Sequence, residues 1–468
     1  MKKINFLNFT ALDGEAKIGL SARTSPDVQY SFDEKNWIVW DYKEITIPNG
    51  STVYLKGNNP KGFSKGFPEN NQFMMQGKIE AHGNIQSLIF GEHCDANPII
   101  PNVGCFAYLF VECDSLLTAP ELPATTLTER CYRCMFAECR SLVEAPELPA
   151  EDLRWECYRG MFACCDSLVD APSLPSQTLA DGCYSNMFKG CRSLVKAPQL
   201  PATNLANGCY NWMFAGCESL VDAPSLPSQT LAFGCYSNMF EGCRSLVEAP
   251  QLPAMNLAED CYSGMFRGCE RLEIAPVLPS VNLAEECYCW MFNGCKRLVN
   301  TPKLPATTLA YLCYAGMFAG CESLVDAPSL PSQTLAFGCY SNMFEGCRSL
   351  VEAPQLPATT LADGCYLSMF KDCESLEIAP LLLASDLQPN CYVRMFFGCK
   401  SLKCVRAFFE DEFHLDGTRD WLSGVEEEGL FVKNPWANWN DRGESGIPKG
   451  WKVRTNFKPY RLPDGTFG

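Results

Sequence analysis

Most of the chain follows one pattern of apolar and polar positions that returns every 26 residues. In its commonest form the pattern is C-Y-x-x-M-F-x-G-C-x-S-L-V-x-A-P-x-L-P-A-x-x-L-A-x-x, and it occurs twelve times without insertion. The first cysteines are Cys105, Cys131, Cys157, Cys183, Cys209, Cys235, Cys261, Cys287, Cys313, Cys339, Cys365 and Cys391, and we number repeats 1 to 12 by them. A strict period of this length predicts a solenoid, in which stacked repeats share one core.

Within a repeat, short apolar runs predict short elements. S-L-V-x predicts a parallel strand of about three residues, followed by an extended A-P-x-L-P arm, since proline has no N–H for a ladder. The spacing of Leu179, Cys183, Met187 and Phe188 favours a helical turn or short helix. The Leu, Cys, Met, Phe and Ala positions are expected to point inward. The predicted fold is therefore a solenoid of twelve coils with short parallel strands and helical turns.

The flanking sequences differ from the repeats and set the predicted domain boundaries. Strand-like runs separated by turn-rich pieces predict a β-rich domain over residues 1–88, joined by a junction at 89–104 to a solenoid at 105–403. Residues 404–468 are predicted to cap its open end, which would otherwise expose core. Packing is favoured over a sugar- or ligand-binding platform for the aromatic residues of both flanks, which are Tyr30, Trp37, Trp40, Tyr42, Trp436, Trp439 and Trp451.

The charge and hydropathy exclude some classes of function. The 468 residues carry a formal net charge of −16, which argues against nucleic-acid binding because phosphate contacts need a basic surface. No window approaches the roughly 18 apolar residues of a membrane span. The N-terminal Lys2 and Lys3 are followed by a run broken by polar residues, so no clear signal peptide is predicted and cytoplasmic expression stays open.

The 29 cysteines allow four interpretations, of which packing is favoured. Cysteines in register in adjacent coils would have Cβ atoms about 4.8 Å apart, beyond the roughly 3.8 Å of a disulfide, although pairing within a coil stays open. Metal binding is disfavoured because no second spaced pair or histidine accompanies Cys131–Cys134, Cys164–Cys165 or Cys287–Cys289. The histidines lie outside the repeats, at His82, His93 and His414. We therefore predict no catalytic residue, no metal and no cofactor.

The repeat resembles a known family. The run M-F-x-G-C-x-S-L-x-x-A-P-x-L-P-A-x-x-L-A-x-x-C-Y is similar to the BspA-like, or Treponema-type, leucine-rich repeat. Each repeat of this chain is about three residues longer than the usual repeat of that family. Its motif positions are matched by Phe188, Cys191, Leu194, Ala197, Leu205 and Cys209. The resemblance implies binding and adhesion. It also implies a setting among surface and secreted proteins of Bacteroidales and spirochaetes, or phage-encoded proteins of gut bacteria.

The positions that vary between repeats are the candidates for function. The residue before A-P forms a pre-proline column, and the residue between the prolines forms an inter-proline column, which turns apolar at Val277 and Leu381. Both columns are expected on the outer side of the short sheet. Solubility alone is the competing interpretation, and Ca²⁺ binding by stacked carboxylates is disfavoured because Lys196 interrupts them. The candidate binding residues are Glu144, Asp170, Lys196, Asp222, Glu248, Asn300, Asp326, Glu352, Ser173, Gln199, Ser225, Gln251, Lys303, Ser329, Gln355, Trp212 and Trp290.

These patterns predict a non-enzymatic recognition or adhesion protein that presents a solenoid surface to a protein or glycan ligand. The expected location is a cell surface, the extracellular space or a phage particle. The alternative is a structural or assembly component whose repeats are a spacer between interacting end domains. The identical blocks 215–254 and 319–358 indicate growth by duplication, which favours a distributed surface over one unique pocket.

Overall fold

The computed structural model describes residues 4–410, 417–437 and 439–455. The chain divides into two compact units. The N-terminal unit comprises Met1–Ser228 and Met239–Leu246, and the C-terminal unit comprises Gln229–Asn238 and Val247–Gly468. Strands, turns and parallel bridges dominate both units, and the periodic pattern of the sequence is visible in each.

The N-terminal unit begins with a seven-stranded sheet in the order β3-β2-β5-β1-β6-β7, with β4 paired to β1. Alternating apolar residues bury one face of the long strand β1, which merges two runs that the sequence suggests as separate strands. Strand β7 lies in repeat 1 and pairs in parallel with β6, so the repeats continue this sheet. The strands are Leu7–Ser21 (β1), Val28–Ser31 (β2), Ile38–Val39 (β3), Ile45–Ile47 (β4), Thr52–Gly57 (β5), Gln72–His82 (β6) and Leu116–Thr118 (β7).

Among the described residues, helical structure occurs only in the short connection between this sheet and the repeats. Helix α1 spans Ser87–Phe90 and continues into a 3-10 turn over Gly91–Ala96. The C-terminal unit ends in a parallel four-stranded sheet in the order β11-β10-β9-β8. Its strands are Ile378–Leu382 (β8), Cys404–Ala407 (β9), Leu430–Lys433 (β10) and Lys452–Arg454 (β11).

The segment from two residues before the first cysteine to the residue before the second cysteine forms consecutive tight turns. The prediction of a helical turn or short helix there is therefore wrong. In repeat 2, the N–H groups of Arg133, Met135, Ala137 and Cys139 bond to the carbonyl three residues back. The alternate N–H groups bond to the next repeat, as Tyr132 does to Cys157. A four-residue turn period buries the same positions as a helix of 3.6 residues per turn, which explains the error.

Left-handed residues set this turn period. Asn186, Gly190 and Gly182 all have positive φ, of 57°, 77° and 60°, and each lies four residues from the next. Glycine and asparagine tolerate this conformation best, which explains the G of M-F-x-G-C. A residue with positive φ at every fourth position stops an α-helix from propagating, and it frees alternate N–H groups to bond the neighbouring repeat.

The predicted parallel strands are shorter than expected. In the interior repeats the parallel pairing of the S-L-V-x runs is confined to the pre-proline residue, as in the bridges of Glu144 to Asp170 and of Glu352 to Ile378. The prolines that follow supply no N–H, so the ladder stops there. A second column of bridges, not predicted, runs through the residue before the last leucine, as in Thr308 to Thr334.

The core consists of side chains stacked in register. In the N-terminal unit the Phe136 and Phe162 rings lie 5.7 Å apart with an angle of 3° between their planes. In the C-terminal unit Phe344 and Phe370 repeat this at 5.6 Å and 10°. A tyrosine ladder runs beside it, with Tyr158 and Tyr184 at 5.9 Å. Phe and Tyr ladders at the 26-residue spacing thus confirm the periodic repeat and its inward-pointing positions.

Most flanking aromatic residues pack as expected. Trp40 is buried and donates its indole N–H to the Lys43 carbonyl at 2.7 Å. Trp439 and Trp451 are buried in the C-terminal unit and bond backbone carbonyls. Trp436 differs, since it is 71% exposed. The side chain of Trp37 is partly covered by Lys56, whose Nζ lies 4.2 Å from its ring centre.

Candidate functional site

Both predicted columns lie on the surface. All fifteen candidate binding residues that belong to the pre-proline and inter-proline columns are exposed. In the C-terminal unit, consecutive pre-proline residues pair through their backbones, as Asp326 does with Glu352 and Glu352 with Ile378. Paired strands are about 4.8 Å apart, so neighbouring side chains in the column are close enough to act on one ligand.

An exposed valine column lies beside the pre-proline column and was not predicted as part of the surface. The valine of S-L-V-x is 47% exposed at Val351, and comparable exposures recur at Val143, Val169, Val195, Val221, Val299 and Val325. The leucine before each of these valines is fully buried. Because side chains alternate between the two faces of an extended chain, the S-L-V-x run itself contained the signal for an outward valine.

The C-terminal unit contains a groove of about 510 Å³ that both columns help to line. Two A-P-x-L-P-type arms, from repeats 10 and 11, form its sides and floor, and repeats 9 and 12 add one residue each. We call this site the groove, and its lining residues are Gln333, Val351, Glu352, Ala353, Pro354, Gln355, Leu356, Pro357, Thr359, Glu377, Ile378, Ala379, Pro380, Leu381, Leu383 and Arg406.

The groove occurs where the sequence departs from the repeat. In repeat 11, Leu381 replaces the polar inter-proline residue, and Leu383 replaces the second proline. With that proline gone, residues 378–382 form strand β8, which pairs with β9. These substitutions place Ile378, Leu381 and Leu383 against the proline-rich arm of repeat 10. The apolar change that the sequence shows at Leu381 thus lies inside the groove.

The charges of the groove are unevenly neutralised. Glu377 forms an ion pair with Lys403, whose Nζ lies 2.6 Å from the carboxylate. Glu352 is exposed and has no ion pair or side-chain hydrogen bond with any described residue. Arg406 lines the groove from strand β9 and was not singled out by the sequence. The groove therefore combines an available carboxylate, a guanidinium, two amides and an apolar floor.

The two predicted tryptophans lie in turn segments and do not line the groove. Trp212 is half-buried, and the Lys189 Nζ lies 4.3 Å from its ring centre. Trp290 has a φ of 54° and covers Gly316 of the next repeat. Another exposed aromatic residue of the C-terminal unit, Phe337, stacks on Tyr311 with their ring centres 5.3 Å apart.

The cysteines provide no evident reactive centre. All 29 are free thiols, and 26 of them are buried, the others being Cys134, Cys164 and Cys404. Burial raises the pKa of the Cys157 thiol to about 12, so the thiol stays protonated at neutral pH. Within residues 4–410, 417–437 and 439–455, no three His, Cys, Asp or Glu side chains converge to hold a metal. His414 lies outside those ranges.

A second cavity, of about 380 Å³, lies in the N-terminal unit beside Lys56, Glu92 and His93. The Lys56 Nζ lies 2.9 Å from the Glu92 carboxylate, so its charged groups satisfy each other. The neighbouring Cys94 is buried and its thiol contacts the Asp95 carboxylate at 3.7 Å. This cavity offers less available chemistry than the groove.

Two further observations bear on the class of protein. None of the helices in the described ranges is both long and apolar enough to cross a membrane. Comparison with known proteins gives no similarity that names a family. No protein-family model, no curated protein and no solved structure matches the chain.

Proposed function

We propose that the protein is a non-enzymatic recognition or adhesion protein and that the groove is its binding site for a protein or glycan. The observation that supports this most is the convergence of both variable columns on one concave surface, through Glu352 and Gln355. Ligand sites are typically concave and combine apolar side chains with a few polar groups, and the groove has ten apolar lining residues beside six polar or charged ones. Its volume of about 510 Å³ is also in the usual range.

We further propose that the repeats form a solenoid of the leucine-rich-repeat type. The in-register ladders and the bridges from each repeat to the next support this, because solenoid repeats contact only their neighbours. The resemblance to BspA-like repeats at Phe188, Cys191 and Leu194 supports a setting on a bacterial surface or a phage particle. In that setting an array of repeats commonly presents a binding surface.

A structural role is the second candidate. The identical blocks 215–254 and 319–358 favour it, since a spacer gains length by exact duplication without needing new contacts. In that case the binding contacts would come from the N-terminal sheet or from strands β10 and β11, which lie outside the groove. The groove variants described next separate the two functions.

The test uses the full chain and a double variant, Ile378→Asp with Leu381→Asp, which places two carboxylates in the apolar part of the groove. The control is Ile274→Asp with Val277→Asp, which changes the same two columns in repeat 7, outside the groove lining. Ile274 and Val277 are 58% and 66% exposed, so the control should fold normally.

Arrays of bacterial and host-surface glycans and proteins are probed with all three proteins. We expect to find a ligand that binds the wild type and the control with similar affinity. Its affinity for the groove variant should be at least tenfold lower, which corresponds to about 1.4 kcal/mol of binding free energy. A ligand that binds all three equally would contradict the groove as the binding site. It would favour the spacer function if substitutions in the N-terminal sheet or in strands β10 and β11 of the full chain abolished its binding.

A further inference from the structure

We infer that the groove takes an extended peptide segment in which a lysine or arginine lies beside an apolar residue, with Glu352 receiving the cation. This inference rests on the proposed function and specifies the ligand class for the same site. It depends on three properties of the groove: the unneutralised carboxylate of Glu352, the lack of N–H donors on its prolines and the character of its apolar lining.

The carboxylates of Asp326 and Glu352 lie on paired backbone positions of adjacent repeats. Both side chains are exposed, and neither has an ion pair or side-chain hydrogen bond within the described ranges. Like charges on directly paired positions about 5 Å apart destabilise each other. A cation bound between or beside them would relieve this repulsion, and Glu352 is the one of the two that lines the groove.

Several carboxylates elsewhere in repeats 10 and 11 are neutralised within the protein. Glu374 lies 3.1 Å from the Lys400 Nζ, and Glu345 lies 2.6 Å from the Lys371 Nζ. At the edge of the groove itself, Glu377 is paired with Lys403 at 2.6 Å. These repeats therefore have basic partners available for acidic residues, yet the pre-proline carboxylates receive none. The negative charge left in the groove favours a cationic ligand by electrostatic complementarity.

The floor of the groove contributes acceptors and few donors. Pro354, Pro357 and Pro380 have carbonyl oxygens but no N–H groups. A ligand that brings its own N–H donors fits such a surface, and a peptide backbone brings one at every residue except proline. An anionic ligand rich in acceptors would find one cation, Arg406, but it would also meet Glu352 and the proline carbonyls, and both of these interactions would be unfavourable.

The apolar lining is aliphatic. Val351 and Ile378 are 47% and 51% exposed at the groove, and Leu381 extends the same surface. Covering these side chains with an apolar residue of the ligand would contribute roughly 25 cal/mol per Å² buried. None of the residues that line the groove, all of them in the described chain, has an aromatic ring on which a sugar could stack. The lining thus favours a peptide over a glycan.

The experiment selects peptides from a random dodecapeptide phage library on the full chain. Pools are counter-selected on an uncharged groove variant, Ile378→Asn/Leu381→Asn, so that only groove-dependent sequences remain and basic peptides are not removed by added carboxylates. The enriched peptides are synthesised with a fluorescent label, and dissociation constants are measured by anisotropy. The proteins are wild type, Glu352→Gln, the double variant Asp326→Asn/Glu352→Gln, and the control Glu374→Gln, which removes a carboxylate outside the groove.

We expect the groove-dependent peptides to be enriched in lysine or arginine next to an aliphatic or aromatic residue. Glu352→Gln should weaken their binding about fivefold, the size of an exposed ion pair, while Glu374→Gln should change it less than about twofold. Raising the salt concentration from about 0.05 M to about 0.5 M should weaken peptide binding to the wild type more than binding to Glu352→Gln. Salt screens the attraction between Glu352 and the cation of the peptide, which the variant already lacks. Unchanged urea midpoints would show that the variants fold.

Other outcomes overturn the inference in distinguishable ways. Groove-dependent peptides that are acidic or neutral, or that bind Glu352→Gln as tightly as wild type, would reject the cationic ligand and leave the proposed function standing. Groove-dependent binding of glycans without any groove-dependent peptide would reject the peptide class alone. If no peptide, glycan or protein discriminates wild type from the groove variant, both the inference and the proposed function fail.

Discussion

The thiol of Cys139 donates a hydrogen bond to the carbonyl oxygen of Phe110 in the preceding repeat, with an Sγ–O distance of 3.0 Å. The same bond recurs at a separation of 29 residues in both units. In the N-terminal unit it joins Cys165 to Phe136, Cys191 to Phe162, Cys217 to Phe188 and Cys243 to Phe214. In the C-terminal unit it joins Cys295 to Phe266, Cys321 to Phe292, Cys347 to Phe318, Cys373 to Phe344 and Cys399 to Phe370.

This bond gives the second cysteine of the repeat a purpose besides filling space. The Phe110 carbonyl already accepts the N–H of Cys113, and the thiol adds a second donor for its other lone pair while remaining small and apolar enough for the core. Serine would donate as well but has a more polar and shorter side chain. The repeat therefore uses cysteine as a buried donor that tolerates an apolar environment.

Replacing one of these cysteines by alanine should destabilise the protein. In Cys217→Ala the Phe188 carbonyl keeps the Cys191 N–H but loses its second donor, and a small cavity forms, so the free energy of unfolding should fall by about 1–2 kcal/mol. Urea unfolding of the full chain measures the change. Cys164→Ala is the control, because that thiol is exposed, and it should cost less than about 0.5 kcal/mol. Equal effects from both variants would contradict the buried hydrogen bond.

Alkylation should distinguish exposed from buried thiols. Burial raises the pKa of Cys105, Cys209 and Cys313 to about 12, so both access and ionisation protect these buried thiols. Intact-mass spectrometry after iodoacetamide treatment at about pH 8 should therefore show one fast adduct, at Cys164, followed by slower ones at Cys134 and Cys404.

The rate at Cys164 should rise with pH through the alkaline range. Burial, together with the charges of Glu138 and Asp166, raises its pKa above the usual 9.0, and only the thiolate reacts. In denaturant without reductant, all 29 thiols should react. Many fast adducts on protein with native circular dichroism, or fewer than about 20 adducts in denaturant, would contradict the packed-thiol account, since paired cysteines do not alkylate.

Replacing a glycine of the turn segment should destabilise the protein because of its backbone conformation. Gly346 has a φ of 73°, and a Cβ added there would lie 3.7 Å from the Gly320 Cα, which is an ordinary contact. Gly346→Ala should therefore cost about 1–2 kcal/mol through the left-handed backbone alone. Gly346→Asn should cost less, since asparagine tolerates this region, and thermal unfolding should rank wild type above Asn above Ala. Equal stability of all three would refute the left-handed turn.

Much of the fold follows from the sequence, because repeats stacked in register bury the same residue positions in every repeat. The phase, the buried Cys, Met, Phe and Leu positions and the exposed columns are all predictable in this way. The helical turn was wrong because a four-residue turn period buries the same positions as a helix. Recognising the turns would have required reading Gly190 and Asn186 as left-handed residues.

The groove is less accessible to sequence reasoning. Its two columns were predicted, and Leu381 was noted as an apolar change, but the concavity depends on how strand β8 forms once Leu383 replaces proline. Arg406 enters the groove through a shift in pairing between Ile378 and Leu381, which no local pattern encodes. The Cys139–Phe110 hydrogen bond likewise depends on backbone placement between repeats.

A buried carboxylate in the N-terminal unit predicts a pH dependence of stability. Glu156 is 5% exposed and pairs with Arg130 at 2.9 Å, with Arg133 at 2.7 Å and with Arg159. Burial alone would raise the pKa of Glu156, but the three guanidinium groups outweigh it and hold the pKa below the usual 4.5. The ionised carboxylate therefore stabilises the fold above that pH, and this stabilisation is lost as the pH falls through the lowered pKa.

Glu156→Gln should accordingly lower the free energy of unfolding by about 1–2 kcal/mol at neutral pH, a value reduced by the partial exposure of the arginines. The difference from wild type should shrink as the pH falls below about 4.5, where the wild-type carboxyl becomes protonated. Thermal unfolding between about pH 3 and pH 7 measures it. A difference that stays constant over that range would show that Glu156 contributes through packing and not through its charge.

Hydrogen–deuterium exchange of the full chain, with and without the tightest ligand from the arrays or the peptide selection, tests the central claim most directly. If the variable columns converge on the binding site, the ligand should slow exchange in peptides covering residues 351–359 and 377–383. Exchange in strands β2 and β5, and in repeat 7 around Ile274, should stay unchanged. Protection confined to the N-terminal sheet or to strands β10 and β11, with none in the groove, would contradict the claim.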